Sequence, residues 1–186
     1  MAASRGFSWA AFLLGALTLL ILLIVAAAII IFGGFYPIAA SVPDPPGFGS
    51  LLAAASDRAV ERQSAGLKVP AFSAADIREG AGHFKGMCQR CHGGPGVQRE
   101  DFAQGLNPSP PNLAESTDDM SVGQVFWIAK HGIKMTAMPA FGKTDSDDEL
   151  WRVAAFVKQM SKTTAQQYAA IPNLHEKMEK AEGRGG

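Results

Sequence analysis

The stretch Cys88-Gln89-Arg90-Cys91-His92 carries the only two cysteines of a 186-residue chain, and its reading decides what the rest must be. Two cysteines exclude a multi-bridge disulfide framework, so the pair points to redox, metal or prosthetic-group chemistry. A structural zinc site needs further ligands at suitable spacing; only His83 and His131 stand near, and there is no second C-x-x-C. A thioredoxin-like pair calls for a βαβ surround, and no convincing strand pattern occurs in the chain. His92, directly after the second thiol, completes C-x-x-C-H, the pattern of covalent c-type haem attachment. At this spacing both sulfurs reach the porphyrin vinyl groups as thioethers while the histidine gives a nitrogen to iron. Cys88, Cys91 and His92 are therefore expected to hold one covalently bound haem c.

Outward from the motif the periodicity is helical. Ser73 caps a helix because Asp76 stands three residues on, and Ile77, Ala81, Phe84 and Cys88 recur at helical spacing, so this helix delivers the thiols. Ser121 with Gln124 forms a second capping box, opening a helix through Val122, Val125, Phe126 and Ala129 that Gly132 should end. A third helix is expected from the acidic run Asp145 to Asp148 through Val153, Phe156, Val157 and Met160. The fold class is mostly α. The haem domain is expected over 73–162 and a polar tail over 163–186, its last stretch, Gly183-Arg184-Gly185-Gly186, being loose.

Toward the N-terminus the composition changes. Basic and acidic residues balance at 17 each and nothing indicates nucleic acid, but the apolar 47% is unevenly distributed, with much of it packed into the first thirty-odd positions. From Phe7 to Phe32 there are 26 residues without a charge, a helix of about 39 Å against a hydrocarbon core of roughly 30 Å. A cleavable signal peptide would have an apolar region of only about 7–15 residues, so 1–32 reads as a single transmembrane anchor. Arg5 precedes the span, whereas the first charge after it is Asp44 and the next basic residue Arg58, which puts the N-terminus in the cytoplasm. Residues 33–72 read as a Pro/Gly spacer followed by a short helical segment over 51–66 with a thin apolar stripe.

With Gly80, Phe84 and Cys88, Pro111-Asn112-Leu113 and Met138-Pro139-Ala140-Phe141 on the page, residues 73–161 resemble the bacterial class I cytochrome c domain. The resemblance implies that Gly80 admits close crossing of the last helix, with Val153, Ala155 and Phe156 as the contact. It implies that the Pro111 carbonyl accepts the proton on Nδ1 of the haem histidine and that Leu113 packs on the ring. It also implies Met138 as the sixth iron ligand opposite His92, a pairing that closes the coordination sphere and raises the reduction potential. Met135 is chemically equal and three residues earlier, and His131 and His83 are lesser alternatives. Trp127 is expected to border the haem or bond a propionate. The loop from Gly93 to Pro110 is longer than in the shortest members and reads as free of secondary structure.

Filled axial positions suit one-electron transfer rather than catalysis. The resemblance implies a bacterial inner-membrane location with a periplasmic haem domain. It also implies redox partners such as a quinol-oxidising complex, a dehydrogenase or a terminal oxidase, with the bilayer holding the anchor. Lys130, Lys134 and Lys143, with no acid between Met120 and Thr144, suggest a basic face toward an acidic partner. The competing class is a haem enzyme or gas sensor with a displaceable methionine.

Overall fold

The computed structural model describes residues 8–117 and 119–174, and these form a mostly helical protein without strands. Arg5, Phe7 and the end of the tail, on which part of the sequence reading rests, lie outside the described residues. The chain divides into one unit ending at Val42 and a second beginning at Pro43.

In the first unit, α1 spans Trp9–Phe32, and Ser8 caps it by accepting the Ala11 N–H. Its 24 residues rise about 36 Å, their mean hydropathy reaches 3.1, and its apolar side chains from Trp9 to Phe32 are exposed. This is one N-terminal apolar helix long enough to span a membrane.

In the second unit, α2 runs over Phe48–Ser64, one turn longer at its start than the apolar pattern suggests, because Gly47 at φ 81° turns the chain into it. Its C-terminal half buries Val60 and Ser64 and packs against α6, Val122–His131. The core of this unit is built on a crossing of α3, Ala74–Met87, with α7, Asp147–Val157. Three capping boxes start its main helices: Ser73 with Asp76, Ser121 with Gln124, and Ser146 with Glu149. In the sequence the third shows only as an acidic run. Gly132, at φ 65°, ends α6.

The crossing is close because Gly80 has no side chain: a Cβ there would sit 2.0 Å from the Arg152 carbonyl oxygen. Arg152 in turn reaches back to Asp76 at 3.2 Å and Glu79 at 3.4 Å. Phe84 meets Phe156 edge-on at 5.4 Å, and Phe156 stacks on Tyr168 at 5.7 Å; all three are essentially fully buried. Tyr168 belongs to the segment read as a polar tail. Thr164 caps a short helix, α8 over Ala165–Ala169, and Lys85 secures it by donating to the Ile171 carbonyl. The core thus extends past residue 162. The helix expected to run to Met160 instead stops at Val157, and Met160–Lys162 forms a 3-10 turn.

Two outcomes are expected. Gly80→Ala should lose about 1–3 kcal/mol of stability, since the methyl meets backbone rather than a flexible side chain; thermal unfolding followed by circular dichroism reads this. The Ser73 hydroxyl and backbone N–H, then Arg152, hold the Asp76 carboxyl below its usual 3.8. That stabilisation is present above the ordinary carboxylate range and is lost as pH falls through the lowered value. Asp76→Asn should therefore have a lower denaturant midpoint at pH 7, with the gap to the parent protein closing below about pH 4.

Candidate functional site

α3 ends at Met87, and Cys88 is both its C-cap and the start of α4, Gln89–His92. Cys91 and His92 N–H groups both donate to the Cys88 carbonyl, so one helical turn sets the two thiols and the imidazole beside one another. Cys88, Cys91 and His92 line one wall of an apolar cleft. Pro111 lies beside them, and Ile128, Ile133, Met138 and Phe141 also line the space. A second cavity shares Cys88, His92, Ile128 and Met138 with the first and continues inward to Val153, Val157 and Leu113, the first residue of the short helix α5, Leu113–Ser116. Met138, Pro111 and Leu113 are thus brought together with the C-x-x-C-H motif.

His92 has a defined tautomer. Its Nδ1 lies 3.0 Å from the Pro111 carbonyl oxygen, which can only accept, so Nδ1 carries the proton and Nε2 keeps its lone pair. Burial holds the imidazole below its ordinary range, more than the Pro111 bond raises it, with the Arg99 charge adding to the lowering. A neutral, oriented imidazole is the form that ligates iron. Both cysteines are free, and burial, followed by Asp145 and Cys91, pushes the Cys88 thiol up to about 12. Such a thiol is a poor nucleophile for disulfide exchange. Thiols on an apolar wall, a neutral imidazole and a thioether lining the same space fit a covalent haem better than a dithiol redox pair.

The 93–110 loop carries more structure than expected. It contains a 3-10 turn over Asp101–Gly105, and two arginines tie it down. Arg90 pairs with Glu100 through two contacts of 3.0 Å. Arg99 donates from Nη1 to the Ser109 hydroxyl and the Pro110 carbonyl, both at 2.9 Å, immediately before the carbonyl that holds His92. Leu106, Pro108 and Pro110 from this loop also line the cleft, and none was singled out in the sequence. A loop without periodicity gives no sign of which of its apolar residues turn inward.

The segment Gly132 to Gly142 folds back on α6. The Ile133 N–H donates to the Met138 carbonyl at 3.2 Å, the Thr136 hydroxyl donates to the Ile133 carbonyl at 2.8 Å, and the Met138 N–H donates to the Thr136 hydroxyl at 3.1 Å. This bracing turns Met138 toward the cleft and leaves Met135, at φ 64°, 91% exposed at the tip. His131 is exposed and outside the cleft lining, and His83 is buried near Glu79 and Glu149 at the α3–α7 crossing.

Two side chains named from the sequence have partners outside the cleft. Trp127 does not line either cavity; it tilts against His131 at 4.8 Å. On α6 the cleft face belongs to Val125, Ile128 and Ala129, and residue 127 points elsewhere while pairing with 131 one turn on. The three-lysine face is also reduced, since Lys130 is held at 2.7 Å by Asp147 from the first turn of α7, leaving Lys134 and Lys143 exposed.

Thr136→Val removes the hydroxyl that braces Met138 from both sides. In the haem-loaded protein, the methionine-to-iron absorption of the oxidised form should be lost at a lower temperature, by about 1–2 kcal/mol of loop stability. Global unfolding should change little.

Residues 75–157 match the family described as "Cytochrome C oxidase, cbb3-type, subunit III". No curated protein and no solved structure matches the chain. The match covers the α3–α7 crossing, the C-x-x-C-H turn and the Met138 loop, and it supports a c-type cytochrome domain over these residues, which implies binding of haem c.

Proposed function

We propose that this protein is a membrane-tethered, monohaem c-type cytochrome that passes single electrons in a respiratory chain, as donor to or subunit of a terminal oxidase. The observation that carries the reading is that His92 and Met138, far apart in sequence, line the same apolar cleft with both thiols. A haem c bound there supplies a one-electron couple. His92 and Met138 would be its axial ligands, and Cys88 and Cys91 its attachment points. Pro111 orients the imidazole, and Leu113 contributes apolar wall. A thioether opposite an imidazole favours the reduced state and leaves no open position for oxygen chemistry.

The terminal oxidase is favoured among possible partners because the matched family is named for an oxidase subunit. The exposed rim of the cleft is apolar, formed by Pro108, Pro111, Ala137 and Pro139, with Lys134 and Lys143 exposed on the same loop region. Such a rim suits transient contact with an acidic partner, weakening as salt rises. The anchor is α1, with the N-terminus cytoplasmic and the haem domain periplasmic. The basic Arg5 before the helix, with no further basic residue until Arg58 after it, and the site of covalent haem attachment support that orientation.

Redox titration of the full-length protein should give one reversible one-electron step, and the reduced protein should not bind carbon monoxide at full occupancy. Met138→Ala should open the sixth position and admit carbon monoxide, while Met135→Ala should leave the spectrum unchanged. Full carbon monoxide binding by the unmodified protein would favour the gas-sensor or haem-enzyme class instead. Purification in mild detergent with oxidase subunits at constant stoichiometry would identify a fixed subunit; purification alone, with activity as an added donor, would identify a shuttle.

A further inference from the structure

Helix α2 is amphipathic in an unusual way. Phe48, Leu51, Leu52 and Ala55 fall at i, i+3, i+4 and i+7 on one face, yet Phe48, Leu51 and Leu52 are 41%, 67% and 53% exposed. From Pro45 to Ser56 there is no charged residue. The charges begin with Asp57, Arg58, Glu61 and Arg62, and Asp57 falls on the face opposite Phe48. The C-terminal half of the same helix is fastened to the haem-bearing unit through Val60, Ser64 and α6. The uncovered apolar turns therefore project from a helix whose other end is fixed.

What covers them is indicated by the chain on their N-terminal side. The apolar helix α1 ends at Phe32, and only residues 33–47 separate it from α2, a reach of at most about 50 Å when fully extended. Along that stretch Phe35, Tyr36, Ile38 and Val42 are exposed as well. Aromatic and aliphatic side chains in this position, following a span, belong to the headgroup level of a bilayer. The charges on α2 balance at two acidic and two basic, so attraction to anionic lipid is not required and burial of apolar area is the driving interaction.

We propose that the first two turns of α2, through Phe48, Leu51 and Leu52, lie in the interface of the lipid bilayer and give the haem domain a second foothold on the membrane. This rests on the reading of α1 as the membrane span. The foothold restricts the swing that the Pro/Gly spacer would otherwise allow, and holds the cleft at a set height above the lipid.

Nitroxide accessibility in the full-length, haem-loaded protein in nanodiscs of zwitterionic lipid tests this. Thioether formation consumes Cys88 and Cys91, so a single introduced cysteine takes the label. Leu52→Cys is the probe, with Leu51→Cys as a second in case the first disturbs the fold; Asp57→Cys is the aqueous reference and Leu20→Cys the reference for the span. The ratio of oxygen to nickel-chelate collisions at Leu52 or Leu51 should exceed that at Asp57 by about fivefold or more, with little change on adding anionic lipid. If Leu20 is lipid-protected while both α2 probes match Asp57, the foothold is wrong and the span stands. If the α2 probes are immobilised but shielded from both reagents, a protein surface covers them and the proposal is equally overturned. A water-accessible Leu20 overturns the span itself.

Discussion

The hydrogen bond from His92 Nδ1 to the Pro111 carbonyl is the constraint on which the site depends, because it decides which nitrogen of a half-buried imidazole faces the cleft. Its two ends come from segments nineteen residues apart, so the bond exists only if the intervening loop returns to the same place. Arg90 closes that loop near its start and Arg99 near its end. On the other side, the C-x-x-C-H turn is held by α3, and α3 by the bare backbone contact of Gly80 with Arg152. The imidazole is thus fixed from the helix crossing on one side and from the loop on the other. A ligand whose ring orientation is set before the iron arrives needs no reorganisation on binding.

The parts of this architecture that depend on neighbouring residues were legible in the sequence. The Ser73 and Ser121 capping boxes and the Gly132 stop are local chemistry, readable over four residues, and the helices begin and end where those signals place them. Features that depend on distant contacts were not. Tyr168 sits in a polar stretch and reads as tail, yet it fills the space beside Phe156 because Lys85 and the Thr164 cap fold the chain back. Lys130 looks like part of a basic face until α7 presents Asp147 to it.

The site divides in the same way. The C-x-x-C-H turn and the Pro111-Asn112-Leu113 segment could be singled out as motifs, and the structure brings them to one cleft. Between Met135 and Met138 the residues alone did not choose; the difference lies in a left-handed residue at the loop tip and the Thr136 hydroxyl brace within the turn, neither of which has a sequence period. Trp127 stands one residue before the cleft-lining Ile128, about 100° round the helix from it, and tilts against His131.

The central claim is that an imidazole and a thioether meet across this cleft. X-ray absorption at the iron edge of the purified full-length protein tests it most directly, because sulfur scatters at a longer distance and more strongly than nitrogen. The account predicts a sulfur neighbour alongside the porphyrin and imidazole nitrogens, present in the parent protein and in Met135→Ala and absent from Met138→Ala. A coordination sphere of nitrogen alone, or one with no sixth ligand at rest, would contradict it.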